Sequence, residues 1–284
     1  LFNFLAFNRT DQNDGTFLQE VKKLDHGHCF SLNLAPGAPA SEKVMRPRRW
    51  YELRKEIKEP FQTPEEYREM FNSAVGLRLR SDVPVGVCLS GGLDSSSIVS
   101  VLLNDFKKHD LNTFSAVYGS GQKGDESSFI DLYKGQVQHM YYTRPNENDL
   151  LADLDDLALA QYEPVPSSST YAQYRVMKLA AEHVVVTLDG QGADEALAGY
   201  HYFFGFHFKN LLRQGRLAAL ASEMAQYYGK HRSLYGIKSL AFFLLPAFLR
   251  TRVRVMEKGY LDPDFFQANA HRSNVITEDL YGSP

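Results

Sequence analysis

Ser90-Gly91-Gly92-Leu93-Asp94-Ser95-Ser96-Ser97 is the stretch whose residue types point most directly to chemistry. It follows an apolar run at 85–89 and opens a helical pattern, so it is a turn between a strand and a helix N-terminus. Two glycines let the backbone approach an anion closely, the helix start offers N–H groups and the positive end of its dipole, and the serines add hydroxyl donors. The stretch is suited to cradle phosphate. Asp94 would repel a phosphate unless a cation lay between them, and Mg²⁺ commonly binds through one or two carboxylates plus substrate phosphate oxygens. An N-cap role explains Asp94 alone, but not Ser90-Gly91-Gly92. No Lys follows the last glycine, which disfavours a Walker A loop.

A second polar turn, Asp189-Gly190-Gln191-Gly192-Ala193-Asp194-Glu195, follows the apolar run at 184–188 and again opens a helix. Open parallel sheets bind ligands at the carboxyl ends of their strands, where the strand order reverses. The helix dipole accounts for Asp194 and Glu195 but not for the paired glycines. Three other patterns carry little. Gly119-Ser120-Gly121-Gln122-Lys123-Gly124 fits a dinucleotide fingerprint, yet Arg144 stands where that fold places an acid. His26, His28 and Cys29 have no second ligand cluster. Arg250, Arg252 and Arg254 read as a solvated face.

The elements that must position these loops alternate. Strands are expected at 85–89, 113–118, 140–143 and 184–188, separated by helical stretches such as 95–106 and 149–162. This is the α/β pattern of a parallel sheet with helices on both faces. Thr63 and Pro64 form a helix start. His26-Gly27 predicts a hairpin between 21–24 and 29–32, 35–47 reads as a linker, and a boundary is expected near residue 55. Residues 211–249 read as helical throughout, and 262–284 are weakly patterned.

With 284 residues, 44% hydrophobic and 23% charged, the chain can bury a core, which excludes disorder and coiled fibre. The net charge of −3 gives no basic field for nucleic acid or anionic lipid. The longest apolar run, 240–249, is broken by Pro246 and falls short of the ~18 residues of a membrane span. Two cysteines without metal spacing favour a reducing, cytoplasmic location.

Ser-Gly-Gly-Leu-Asp-Ser-Ser after Val-Pro-Val-Gly-Val-Cys-Leu resembles the pyrophosphate loop of the ATP pyrophosphatases, in its asparagine synthetase branch. The second loop resembles that family's Gly-Glu-Gly-Ser-Asp-Glu motif with its Gly-Gly-Tyr ending. Asp194, Glu195, Gly199 and Tyr200 match, while Gln191 stands where relatives carry Glu and Ala198 replaces a glycine. A neutral amide at 191 cannot act as a base. The resemblance implies an adenine nucleotide α-hydrolase-like fold with a helical C-terminal part. It implies that ATP and Mg²⁺ are held by Leu89, Ser90, Gly91, Gly92, Asp94, Ser95 and Ser96 at the first loop, Ala116 and Val117 at the adenine, and Asp189, Gly190 and Tyr200 at the second loop. Asp94 and Asp194 would share the metal, and with Gln191 they are the candidate catalytic residues. The implied reaction is that of a carbon–nitrogen ligase: aspartate is activated as β-aspartyl-AMP and then aminated by glutamine-derived ammonia, with an adenylating ligase for another acid or a non-catalytic nucleotide-binding module as alternatives, no nucleic acid or membrane partner and room for a homodimer.

The resemblance also implies a division of the chain into the tail of an N-terminal glutaminase domain with its linker at 1–55, and an incomplete ATP-dependent synthetase domain at 56–284. Leu1 in place of Met suggests a fragment. The family's glutaminase nucleophile is an N-terminal cysteine, a role that Cys29 and Cys88 do not fill, and a later segment with a catalytic lysine is not found. Both are expected to lie outside this sequence.

Overall fold

A computed structural model describes residues 1–11, 13–39, 45–57, 59–119, 121–122, 124–246, 249–250 and 261–273. Ser120, Lys123, Arg252, Arg254 and parts of the expected linker and of the weakly patterned C-terminal stretch lie outside the described residues.

The first turn of chain forms helix α1 (Phe2–Phe7), followed by short strands β1 (His28–Cys29) and β2 (Arg48–Arg49) and helix α2 (Leu53–Glu56). The expected local hairpin around His26-Gly27 does not form. Cys29 pairs instead with Arg48 and His28 with Arg49, antiparallel, and Lys22 bridges Gly15. Gly27 explains the longer reach: its φ is +71°, a Cβ there would collide with the Tyr51 carbonyl oxygen, and its own carbonyl accepts from Trp50 N and Tyr51 N. Only a residue without a side chain allows the chain to return so close.

Helix α3 (Pro64–Arg78) starts as expected, with the Thr63 hydroxyl accepting from Glu66 N and proline in the first turn. Strands β3 (Val85–Cys88), β4 (Asn112–Ala116), β5 (His139–Thr143) and β6 (Val186–Leu188) alternate with helices α4 (Leu93–Asn104), α5 (Ser127–Ile130), α6 (Glu147–Gln161) and α7 (Ser168–Ala180). All four strands pair in parallel, in the order β5-β4-β3-β6. The chain builds the sheet outward from β3 through β4 to β5, then crosses back to lay β6 on the other side of β3. That reversal makes a crevice at the strand ends.

Each face of the sheet is covered. Val87, Leu89 and Leu188 pack with Val75 of α3 and Ile98, Val99 and Leu102 of α4. On the other face Cys88 and Phe114 pack with Val176 and Ala180 of α7. Val87 and Cys88 point opposite ways because successive strand residues do. Helix α7 is tied to α6 by buried Asp153, which accepts from Tyr171, Arg175 and Lys178 at 2.9, 2.8 and 3.0 Å. The Arg175 hydrogen bond leads in holding this carboxyl down to about 2, followed by that of Lys178.

Beyond the sheet come α8 (Ala193–Ala196), α9 (Tyr202–Arg213), α10 (Leu217–His231) and α11 (Tyr235–Leu244). The stretch expected to be helical throughout is therefore broken at Gly215 (φ +70°) and Arg232 (φ +51°), both left-handed residues that stop a helix, and again at Leu245 and Pro246, where the backbone becomes extended. A last helix, Pro263–Asn269, packs Phe265 and Phe266 on Phe2. The N-terminal segment also meets the α6–α7 bend, where Lys23 pairs with Glu163 at 3.0 Å and Asn8 Nδ2 donates to the Pro166 carbonyl. Among the described residues no helix is long and apolar enough to cross a membrane.

Candidate functional site

The first loop is wired to itself. Leu89 is fully buried; its N–H donates to the Phe114 carbonyl and its own carbonyl accepts from the Ser115 hydroxyl at 2.6 Å. The chain then turns at Gly91, whose φ is +89° and whose added Cβ would lie 2.9 Å from the Glu126 carbonyl oxygen, so a side chain is excluded on two counts. Gly92 caps α4 in an extended conformation. Buried Ser95 is the hub: its hydroxyl accepts from Ser90 N at 3.1 Å, donates to the Gly92 carbonyl at 3.2 Å and meets the Ser90 hydroxyl at 3.0 Å. The Ser90 hydroxyl also accepts from Gly92 N. These hydrogen bonds fix the turn from within, the kind of preorganisation that anion binding needs.

The second loop leaves β6 beside it. Leu188 lies across from Val87 in the parallel pair, and the chain continues into Asp189. Asp189 is held from two sides, Oδ2 by Gln173 Nε2 at 2.9 Å and Oδ1 by Gln191 N at 3.2 Å. Gly190 then presses on the first loop: a Cβ there would sit 3.0 Å from both Asp94 Cβ and Ser95 N. Gly192 turns at φ +93° into the single-turn α8. Gly199 donates to the Asp194 carbonyl at 2.8 Å, and a Cβ on it would overlap Asp194 Oδ1. Ala198 takes φ +54°, a region that favours glycine.

Asp94 registers this closeness electrostatically. Its carboxyl is raised above the usual range, first by partial burial and then by the negative charges of Asp194 and Glu195. Carboxylates that disfavour one another's charge form a donor set completed by a cation. Among the described residues no group of three or more His, Cys, Asp or Glu could hold a metal alone. Two carboxylates with phosphate oxygens supplied by a ligand match the way Mg²⁺ is held in nucleotide sites, so Asp94 and Asp194 fit this ion.

The loops open into a cleft of about 560 Å³. Nine expected residues line it: Leu89, Ser90, Gly92, Asp94, Ser95, Ala116, Asp189, Gly190 and Gln191. Others lie elsewhere. Gly91 packs against Glu126, and the Ser96 carbonyl accepts from the Tyr133 hydroxyl. Val117 is in the core, its N–H bonded to the Thr143 carbonyl. Asp194 sits exposed in α8, its carboxylate against Gly199. Tyr200 stacks on Tyr202 at 5.3 Å and donates to Glu195 at 2.9 Å, a hydrogen bond that leads in pushing its phenol up to about 12. A crevice of about 600 Å³ between α1 and the Pro263–Asn269 helix is larger but has no strand end in it.

Sequence reasoning missed the far wall. Ser169, Thr170, Gln173 and Val176 come from α7, and Cys88 and Phe114 form an apolar floor with Ala116. The helix start was legible in Pro166-Ser167-Ser168-Ser169-Thr170. Gln173 had no local signal, because its pairing with Asp189 exists only once α7 lies across the sheet.

The model of the asparagine synthase family matches residues 66–263, a span that contains the whole sheet and both loops. The chain belongs to the asparagine synthase family. It is 35% identical over 153 residues to asparagine synthetase (glutamine-hydrolyzing) 1 of Bacillus subtilis, a match covering 51% of this chain and 23% of the relative. It is 32% identical over 279 residues to the Zea mays asparagine synthetase (glutamine-hydrolyzing), covering 93% and 45%. A Methanocaldococcus jannaschii protein provisionally named asparagine synthetase (glutamine-hydrolyzing) 2 is 31% identical over 221 residues, covering 76% and 40%. The chain therefore spans less than half the length of the relatives it matches.

Proposed function

We infer that residues 56–284 form the ATP-dependent half of a carbon–nitrogen ligase that activates aspartate as β-aspartyl-AMP, releasing pyrophosphate, and then aminates it to asparagine. Residues 1–55 belong on this reading to the tail of a glutaminase domain, whose product is the ammonia. The observation that carries the reading is the contact of Gly190 with Asp94 and Ser95, which sets two carboxylate-bearing strand-end loops around one cleft.

In this site the Ser90–Ser95 turn and the N-terminal end of α4 bind the leaving pyrophosphate and fix it for in-line attack on the α-phosphorus. Asp94 and Asp194 would hold Mg²⁺, which would supply charge neutralisation at the phosphate oxygens. The apolar floor of Cys88, Phe114, Ala116 and Val176 accepts the adenine ring. Gln191 faces the cleft as a neutral amide; it orients a reacting group by hydrogen bonding and takes no proton.

The test is exchange of labelled pyrophosphate into ATP by the intact protein. Exchange stimulated by aspartate supports the reading; no exchange with any acid overturns it. Gln191 in place of Glu favours a second reading, a homologous adenylating ligase acting on another acid, for which exchange would require that acid instead.

A further inference from the structure

Two adjacent acids, Asp125 and Glu126, lie between β4 and α5 and are used differently. Asp125 is spent on its own loop: its carboxylate accepts from Tyr118 N at 3.0 Å and from the Ser127 hydroxyl at 2.5 Å. The Glu126 side chain has no hydrogen-bond or ion-pair partner among the described residues, yet its place is fixed. Its backbone carbonyl accepts from Phe129 N and Ile130 N of α5, and Ile130 is fully buried. The side chain then runs along the anion turn. A Cβ on Gly91 would meet Glu126 Cβ at 3.1 Å, and one on Gly92, the N-cap of α4, would lie 3.8 Å from Glu126 Oε2. The carboxylate therefore stands at the helix end that is to receive phosphate. It is set apart from the pair that would hold the metal: burial, Asp194 and Glu195 raise the Asp94 carboxyl, and Glu126 is not among the causes. Among the described residues that line the cleft, no Lys, Arg or His is present to offset it.

We propose that Glu126 is a charge filter on the anion turn: its carboxylate opposes a polyphosphate that arrives without a cation, so that the cleft selects the magnesium complex over the metal-free nucleotide and over metal-free pyrophosphate. This inference rests on the nucleotide reading above. A carboxylate that faces a polyphosphate across open cleft repels all of its charges at once, and Mg²⁺ on the phosphates cancels part of them. The dipole of α4 favours an acid at this end, which keeps the carboxylate where the anion must pass. Discrimination then comes from an unfavourable contact with the wrong ligand, and the right one is spared most of it.

The experiment is calorimetric binding of ATP and of inorganic pyrophosphate, each with Mg²⁺ and each with EDTA, to the intact protein and to its Glu126→Gln and Glu126→Ala variants. Glutamine keeps the length and shape of the side chain and removes the carboxylate. Both variants should bind the metal-free ligands about tenfold more tightly and the magnesium complexes less than about threefold more tightly, the scale of repulsion through solvent. The gain should shrink at high salt. Equal shifts for all four ligands, the mark of a merely structural acid, or no shift for the metal-free ones, overturn the proposal. Selective loss of the magnesium complexes also overturns it, by making Glu126 a metal ligand. Each of these results leaves the nucleotide reading standing. A wild type that binds ATP in neither form overturns that reading and the proposal with it.

Discussion

The turn after β3 is held by its own atoms, whereas the turn after β6 is propped from outside. In the first, Ser95 ties Ser90 and Gly92 together from a buried position, and Leu89 is bonded on both its N–H and its carbonyl. In the second, the carboxylate of Asp189 depends on Gln173 from a different helix, Ala198 sits at φ +54°, and α8 is one turn long. The difference teaches a division of labour. On the proposed function the self-wired turn is the fixed anion cradle, and the propped turn carries Gln191 and Ala198, the two positions that differ from the motif it resembles.

Four substitutions test that contrast, in falling order of effect. Asp94→Ala should lower pyrophosphate exchange by ~10³-fold, the scale of losing one charge-stabilising group, with an unchanged circular dichroism spectrum. Gly190→Ala forces a methyl group against Asp94 Cβ and Ser95 N; a shift of the second loop by a fraction of an ångström should reduce exchange by up to ~10²-fold while leaving stability nearly intact. Ser95→Ala removes the partner of Ser90 N and one of the two donors to the Gly92 carbonyl, which keeps Ser96 N, in a partly buried setting, so denaturant unfolding should show a loss of about 0.5–1.5 kcal/mol. If Ser95→Ala costs no stability, the first turn is not self-wired. Ala198→Gly relieves a left-handed alanine and should stabilise by up to ~1 kcal/mol in the same assay, the one gain among the four.

Much of this was legible because the signals are local. The glycine turns, the Thr63 helix start and the parallel pattern all follow from nearby residues. Strand ends shifted where tertiary contacts decide them. Val184 N bonds the Ala180 carbonyl, finishing α7 instead of starting β6, and Val185 is exposed, so β6 begins only at Val186. The false hairpin at Gly27 has the same origin, since the partner of His28 and Cys29 is some twenty residues away at Arg48 and Arg49. Tyr200 matched a motif yet hydrogen-bonds Glu195 instead of lining the cleft, and Gln173 matched nothing yet braces Asp189.

The central claim is that the two turns share one divalent ion and one polyphosphate. A crystal structure of the intact protein with Mg²⁺ and a non-hydrolysable ATP analogue tests it most directly. The account predicts the metal between the carboxylates of Asp94 and Asp194, with the phosphates on Ser90–Ser95. A metal and nucleotide bound away from these strand ends, or held by one turn without the other, would contradict it.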